Sequence, residues 1–138
     1  MAYDKAGIRF SKDSYVLVDA SGGGIERKRL YDNPDISQEQ GSVNLFKEAE
    51  IEGYDYLAFT ITNTSGTWEV EEWCEIAPLK SRSGQFIVSM PVEGVIYGRK
   101  IYRSNGIVKT SINVYKLGAT TEDRTTCIVK SVDAVKVG

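Results

Sequence analysis

The sequence predicts an all-β fold, an antiparallel β-sandwich of jelly-roll type with an N-terminal arm. Segments rich in Val, Ile, Tyr and Thr recur at intervals of about ten residues, with Gly, Ser, Asn or Pro between them. Within them apolar and polar residues alternate with a period of two, which is typical of strands that bury one face. No segment of useful length has a helical period, so two packed antiparallel sheets are expected.

The 138 residues are enough for a single domain with one core. The composition changes near residues 36 to 41, because SGGG at 21–24 is followed by the alternating IERKRLY and the polar connector DNPDISQEQG. We therefore predict an N-terminal arm or attachment segment over residues 1–40 and a β-sandwich domain over residues 41–138. The arm is too short to bury its own core, so it must pack on the remainder or on another chain.

The arm can form two strands, GIRFS and SYVLVDA, and the predicted sandwich begins with the strand SVNLFK. A hairpin over residues 54–76 follows, turning at NTSG. Four further strands complete the sandwich: QFIVSMPV, GVIYGRKIYR, IVKTSINVYKL and TCIVKSVDAVKV. Several strand orders fit this list of strands, so the order is not predicted.

The alternation within the hairpin predicts which side chains face the core. In its first strand, Leu57, Phe59 and Ile61 point to one face, which we assign to the core. The second strand divides into a core-facing set, interrupted by Glu72, and an opposite set that combines one indole with three carboxylates. The core-facing set is Trp68, Val70, Cys74 and Ile76, and the opposite set is Glu69, Glu71, Trp73 and Glu75.

Composition argues against several functions. A net charge of -2 provides no basic field for nucleic acid, and no apolar run approaches the roughly 20 residues that span a bilayer. The N-terminal MAYDKAGIRF lacks the apolar region of a signal peptide. We expect neither nucleic-acid binding nor membrane insertion.

The chain contains no histidine. Ser-His and Cys-His nucleophile pairs and mixed zinc sites are therefore absent, and we predict a non-enzyme without catalytic, cofactor or metal sites. A glycosidase that uses two carboxylates is the remaining alternative, since Glu69 and Glu71 would place their Cβ atoms about 7 Å apart. Alternating glutamates on an exposed strand are more typical of a soluble surface.

Two further patterns have ordinary structural interpretations. Cys74 and Cys127 each lie inside a strand-like segment, and we predict buried free thiols, with a disulfide or a reactive thiol as the alternatives. The oxygen-rich DNPD at 32–35 is predicted to be an Asx-turn, although its oxygen atoms are also of the kind that calcium uses.

Residues 41–138 resemble the small β-sandwich domains that end tail-fibre, head-fibre and baseplate proteins of tailed bacteriophages. The resemblance rests on the strand with Gly41, Val43 and Leu45, the YDYL strand at 54–57, the hairpin with Ser65–Gly66 and the final strand at 128–138. It implies a virion structural protein, usually a homotrimer, sometimes with a surface that binds glycans. Residues 1–40 match no part of that pattern.

Two groups are candidate contact residues. Trp73, among Glu69, Glu71 and Glu75, could stack on a sugar ring, could be covered by a neighbouring subunit or by the arm, or could belong to ordinary second-layer packing. The segment YGRKIYR could contact a receptor or could face the glutamates across a subunit boundary. Its candidate residues are Tyr97, Arg99, Tyr102 and Arg103, accompanied by Lys100 and by Tyr115.

From these observations we predict a bacteriophage virion protein, a small trimeric fibre-type, capsid-surface or tail component assembled in the host bacterial cytoplasm. Residues 1–40 would attach it to other virion proteins. The alternative is a carbohydrate- or receptor-binding module that contacts the host cell surface.

Overall fold

The structure is a computed structural model that describes residues 7–10, 14–18, 24–80, 84–116, 119–121 and 123–138. Short helical turns occur at Glu48–Ile51 and Ala77–Lys80. The strands are β1 (Gly7–Phe10), β2 (Ser14–Val18), β3 (Gly24–Asp32), β4 (Asn44–Lys47), β5 (Tyr56–Thr62), β6 (Glu69–Glu75), β7 (Gln85–Val92), β8 (Val95–Ser104), β9 (Ile107–Lys116), β10 (Ala119–Thr121) and β11 (Ile128–Val137).

The strands form two antiparallel sheets, which confirms the predicted all-β sandwich. The six-stranded sheet has the order β1-β2-β3-β11-β5-β6. The five-stranded sheet has the order β10-β9-β8-β7, and β4 also pairs with β9. The last strand, β11, therefore lies in the middle of the first sheet, between β3 and β5.

Part of the predicted arm belongs to the sandwich, since β1, β2 and β3 are all strands of the six-stranded sheet. β3 pairs with β11 from Ile25 opposite Val137 to Asp32 opposite Ser131, and Leu30 packs against the core. This portion of the segment before residue 41 therefore packs on the remainder of the chain, which is one of the two arrangements expected. Of the predicted hinge at 21–24, only Gly24 lies within the described residues, and it begins β3.

The core lies between the sheets and contains most of the side chains that the hairpin alternation assigned to it. Trp68 is the exception: it lies just before β6, outside the strand, and is 39% exposed. Leu57, Phe59 and Ile61 are all 0% exposed. The ring of Phe59 meets that of Phe86 on β7 edge to face, with the centroids 5.6 Å apart, and this contact joins the two sheets.

The interruption of the β6 core face by Glu72 has a structural reason. β6 and β7 are edge strands of different sheets, and the Glu72 carboxylate accepts a hydrogen bond of 2.7 Å from the backbone N–H of Ser89. An edge strand has backbone groups without a strand partner. Glu72 thus supplies an acceptor to β7 where the two sheets meet.

Two tight hairpins build the middle of the five-stranded sheet. The β7–β8 turn at Glu93–Gly94 has φ angles of 48° and 82°, and the β8–β9 turn at Asn105–Gly106 has 53° and 76°. Two central residues with positive φ match the right-handed twist of the flanking strands. The β7–β8 register is consequently regular, with Val92 opposite Val95 at the first turn. The β8–β9 register shifts once, between Arg99 and Ile101.

The thiols of Cys74 and Cys127 are free, as predicted. Burial raises the pKa of both to about 12. Since the thiolate is the reactive form, both behave as packing residues at neutral pH.

Candidate interaction surfaces

The outer face of the six-stranded sheet carries the predicted acidic and aromatic set. The side chains of β6 alternate between exposed and half-buried, and Glu69, Glu71, Trp73 and Glu75 occupy the exposed positions. This arrangement follows from the pairing of β6 with β5, in which Ala58 lies opposite Trp73.

Trp73 has partners within its own chain. Its ring centroid lies 6.0 Å from that of Tyr56, and the guanidinium carbon of Arg27 lies 5.6 Å from the ring. Arg27 belongs to β3, so a residue of the predicted arm covers part of the indole. Trp73 remains 42% exposed, which leaves room for a further contact.

The glutamates of this face also have cationic partners in the same chain. Glu71 forms an ion pair with Arg27, and Glu69 with Lys130 at 2.7 Å. Arg27 also reaches Asp133 on β11 at 3.0 Å, and Arg29 pairs with the other oxygen of the same carboxylate. Glu69 and Glu71 therefore have cationic partners within the chain, whereas the sequence analysis considered such partners across a subunit boundary.

Asp133 is the centre of this ion network, and sequence reasoning missed it. Its side chain is only 3% exposed, between Arg27 and Arg29. A buried carboxylate requires charged or hydrogen-bonding partners. The alternating basic residues in IERKRLY indicated that acidic partners were needed. The sequence could not identify the partner, because Asp133 lies 104 residues after Arg29.

The tyrosine- and arginine-rich segment is divided between the two faces of β8. Ile101 is 0% exposed, and strand alternation places Tyr97, Arg99 and Arg103 on its face, toward the core. Ile96, Gly98, Lys100 and Tyr102 occupy the opposite face. The segment therefore does not form one surface patch.

Arg99 is the clearest correction to the predicted contact residues. Its side chain is 0% exposed, and it donates hydrogen bonds to three carbonyl oxygens, those of Cys127 at 2.8 Å, Ser111 at 2.8 Å and Thr126 at 3.3 Å. Two of these carbonyls belong to the loop that precedes β11. Arg99 thus holds that loop against the middle of β8 and is not available to a receptor or to a second subunit.

The electrostatics around Arg99 fit this structural role. Burial lowers its pKa to about 10, and the charge of Asp123 acts in the opposite direction. Burial by itself would raise the pKa of Asp123, but hydrogen bonds from Thr125 and Thr126 and the Arg99 charge outweigh it and lower that pKa. The guanidinium therefore remains charged at neutral pH.

The other predicted residues of β8 are half-buried. Arg103 pairs with Glu48 at 3.0 Å, so its charge also has a partner in the same chain. Lys116 lies 5.9 Å from the Tyr97 ring, and Lys100 lies 5.4 Å from the Tyr102 ring. Among these residues, only Tyr102 and Lys100 belong to the outer face of the five-stranded sheet.

That outer face carries an apolar groove, which sequence reasoning missed. Ile87 is 55% exposed and Ile96 is 58% exposed. They line a groove of about 670 Å³ together with Gly98, Tyr115, Gln85, Ser89 and Lys100. Strand parity around the buried Ile101 could have indicated it, because Ile96, Gly98 and Lys100 all fall on the face opposite Ile101.

Gly98 forms the floor of the groove. A Cβ atom at this position would lie 2.8 Å from a methyl group of Ile87. Glycine weakens a strand interior and often marks a place where another group approaches closely. Here the absence of a side chain lets Ile87 lie close to β8, and Tyr115 stands on the other side of Gly98, directly opposite it on β9.

One end of this face is basic. Lys109 lies opposite Tyr102 on the adjoining strand, and Lys100 lies two residues before Tyr102. Within the described part of the chain, neither lysine forms an ion pair with a carboxylate. An unpaired basic pair beside exposed isoleucines is suited to an acidic, apolar partner.

The DNPD loop adopts the predicted Asx-turn. Asn33 accepts a hydrogen bond of 2.9 Å from the backbone N–H of Asp35, and Asp35 accepts one of 3.0 Å from the backbone N–H of Ser37. The hydrogen bonds from Ser37 lower the pKa of Asp35. No cluster of three or more acidic or cysteine side chains suited to a metal ion occurs among the described residues.

Comparisons with protein-family models, with curated proteins and with solved structures found no match. In the described part of the chain, no helix has the length and apolar character to cross a membrane.

Proposed function

We propose that the protein is a structural subunit that self-associates through the outer face of the five-stranded sheet. The observation that carries this proposal is the groove over Gly98, flanked by two isoleucines that are each more than half exposed. Contiguous apolar surface of this kind marks interaction sites on soluble proteins. The chain contains no histidine, and the guanidinium of Arg99 is hydrogen-bonded to backbone carbonyls of the same chain. Neither fact supports a catalytic role.

The resemblance of residues 41–138 to phage fibre domains supports a virion as the larger assembly. In this proposal the chain is a small fibre-type, capsid-surface or tail component. Attachment to other virion proteins would use residues 1–23, because β1 and β2 form one edge of the six-stranded sheet, whereas β3 lies inside it between β2 and β11. Deletion of residues 1–23 removes the two edge strands β1 and β2. It should retain the rest of the sandwich and abolish incorporation into particles, and normal incorporation would contradict this part of the proposal.

Light scattering of the purified chain over a range of concentrations tests self-association. We expect an oligomer that Ile96→Asp converts to a monomer, because the substitution places a charge on the exposed apolar surface. Val137→Asp is the matched control, since Val137 is also about half exposed, at 49%, but lies at the end of β11 in the other sheet. A wild-type chain that stays monomeric at every concentration would refute the proposal.

A second candidate function is glycan binding at Trp73, favoured by one observation. The indole is 42% exposed, and the neighbouring outward positions on β6 are the carboxylates Glu71 and Glu75. An aromatic face beside hydrogen-bonding groups is suited to a sugar ring. Trp73→Ala should then abolish binding to a glycan array with the oligomeric state unchanged, and an array without wild-type binding would exclude this function for the glycans displayed.

A further inference from the structure

The β7–β8 register makes the groove face complementary to itself. Consecutive outward pairs along this hairpin are Ile96 with Pro91, Gly98 with Ser89, and Lys100 with Ile87. The central pair consists of the two smallest side chains of the face. An apolar pair lies on one side of it, and a mixed pair with an isoleucine and the long lysine stem lies on the other.

We propose that a second copy of this chain occupies the groove in a two-fold contact whose axis runs across the strands through the Gly98–Ser89 pair. This inference rests on the proposed function, and it specifies the partner surface. A two-fold contact joins the same patch of both subunits, so each residue meets the residue equally far from the axis on the other side. At about 3.3 Å per strand residue, Ile96 and Lys100 each lie about 7 Å from the axis. Ile96 of one copy therefore packs on the aliphatic stem of Lys100 and on the adjacent Ile87 of the other.

The centre of the contact allows the sheets to approach closely. Gly98 has no side chain, and Ser89 has a small one. Tyr115 lies in the same row, directly opposite Gly98, so it meets its own counterpart near the axis. Tyrosine is enriched in the centres of protein interfaces, where its large ring is buried at a low cost in conformational entropy.

The ends of the contact are complementary in charge. Glu93 is exposed at the tip of the β7–β8 hairpin, about 16 Å from the axis by its sequence distance from Gly98. Lys109 stands in the Tyr102 row, about 13 Å from the axis on the opposite side. The two-fold operation brings Glu93 of each copy within reach of the long Lys109 side chain of the other. Two such pairs form per dimer.

This arrangement gives a dimer in place of the trimer that the phage resemblance implies. β7, β8 and β9 cover roughly 14 by 27 Å at usual strand spacings. That is a small area for a protein interface, so we expect a weak association with a dissociation constant in the micromolar range.

Charge reversal at Glu93 and Lys109 tests the arrangement. Within one chain the two residues lie about 30 Å apart along the sheet, too far for a direct ion pair, so any compensation between them must occur between copies. We expect Glu93→Lys and Lys109→Glu each to raise the dimer dissociation constant at least tenfold, measured by sedimentation velocity. The double variant should return to within threefold of wild type.

Matched controls carry the same charge changes on the other sheet. Glu75→Lys and Lys136→Glu alter exposed residues of β6 and β11 and should leave the dissociation constant within threefold of wild type. Circular dichroism on every variant establishes that each one is folded.

The outcomes separate this inference from the proposed function. Three results would overturn the two-fold contact. They are single charge reversals that leave the dissociation constant unchanged, a double variant whose dissociation constant does not return toward wild type, and a wild-type chain that is a trimer. If Ile96→Asp nevertheless dissociates the oligomer, the proposal of self-association through this face still stands. A wild-type chain that is monomeric throughout would overturn both.

Discussion

Replacement of Arg99 should show that this arginine stabilises the fold through its three carbonyl partners. Hydrogen bonds from a charged group contribute about 1.5 to 3 kcal/mol each, and Arg99 donates three. Burial opposes this, because a pKa lowered from 12.5 to about 10 corresponds to roughly 3 kcal/mol against the charged form. Arg99→Met removes both effects, so we expect the free energy of unfolding to fall by about 3 kcal/mol.

Arg99→Lys distinguishes the hydrogen bonds from the charge. Lysine retains a buried positive charge, but its compact ammonium cannot reproduce the fork of donors that contacts the carbonyls of Cys127, Ser111 and Thr126. The lysine variant therefore still buries a positive charge, but it loses some of the hydrogen bonds to the carbonyl oxygens. We therefore expect Arg99→Lys to be at least as destabilising as Arg99→Met.

Urea unfolding followed by tryptophan fluorescence measures both variants. For a chain of this size, a loss of about 3 kcal/mol corresponds to a melting temperature lower by roughly 10 °C. Arg103→Met is the matched control, on the same strand and the same face, with a partly exposed ion pair to Glu48, and we expect it to cost about 1 kcal/mol or less. If Arg99→Lys stayed within 1 kcal/mol of wild type, the number of carbonyl bonds would not be what stabilises the loop.

Two further predictions follow from buried groups. Asp133→Asn should lower the free energy of unfolding by about 3 kcal/mol in urea titration, because it leaves Arg27 and Arg29 beside a neutral group in a buried position. Glu71→Gln is the control: Glu71 is an exposed partner of Arg27, and its replacement should lower the free energy of unfolding by less than about 1 kcal/mol. Equal losses in the two variants would contradict this account. Cys74 and Cys127 should not react with a thiol reagent at pH 8 until the chain is unfolded, since burial raises both pKa values from 9.0 to about 12. The folded state holds these protons more tightly than the unfolded state, so this contribution to stability is complete below pH 9 and is lost as the pH rises toward 12. Replacing Cys127 by Ala should weaken that loss in urea titrations at pH 9 to 11, and rapid labelling of native protein at pH 8 would contradict the assignment.

The sequence predicted nine of the eleven described strands, without β3 and β10, and the inward face of the first strand of the central hairpin. The alternation of Leu57, Phe59 and Ile61 was sufficient to place them in the core, because successive side chains of any strand point to opposite faces. The Asx-turn at Asn33 was also predicted correctly, since its hydrogen bonds join residues two positions apart. The free thiols were predicted as well, because both cysteines lie inside strand-like segments. The virion role, the glycan site and the trimer stay predictions that the experiments above address.

The candidate surfaces were only partly predictable. The positions Glu69, Glu71, Trp73 and Glu75 were placed correctly on an exposed face, but the basic segment of β8 was treated as one patch. Alternation around Ile101 divides it, and this rule was available from the sequence. The groove between Ile87, Ile96 and Tyr115 required in addition the register of three strands.

Tertiary structure alone decided which strands are neighbours, and the roles of the charged residues depend on that choice. Asp133 is a buried ion-pair centre only because β11 lies beside β3. Arg99 anchors a loop only because the segment before β11 passes beside the middle of β8. Alternation along a strand is fixed by the local backbone. Pairing between distant strands is selected by the burial and hydrogen bonding of the whole sandwich, and several strand orders satisfy the same local pattern.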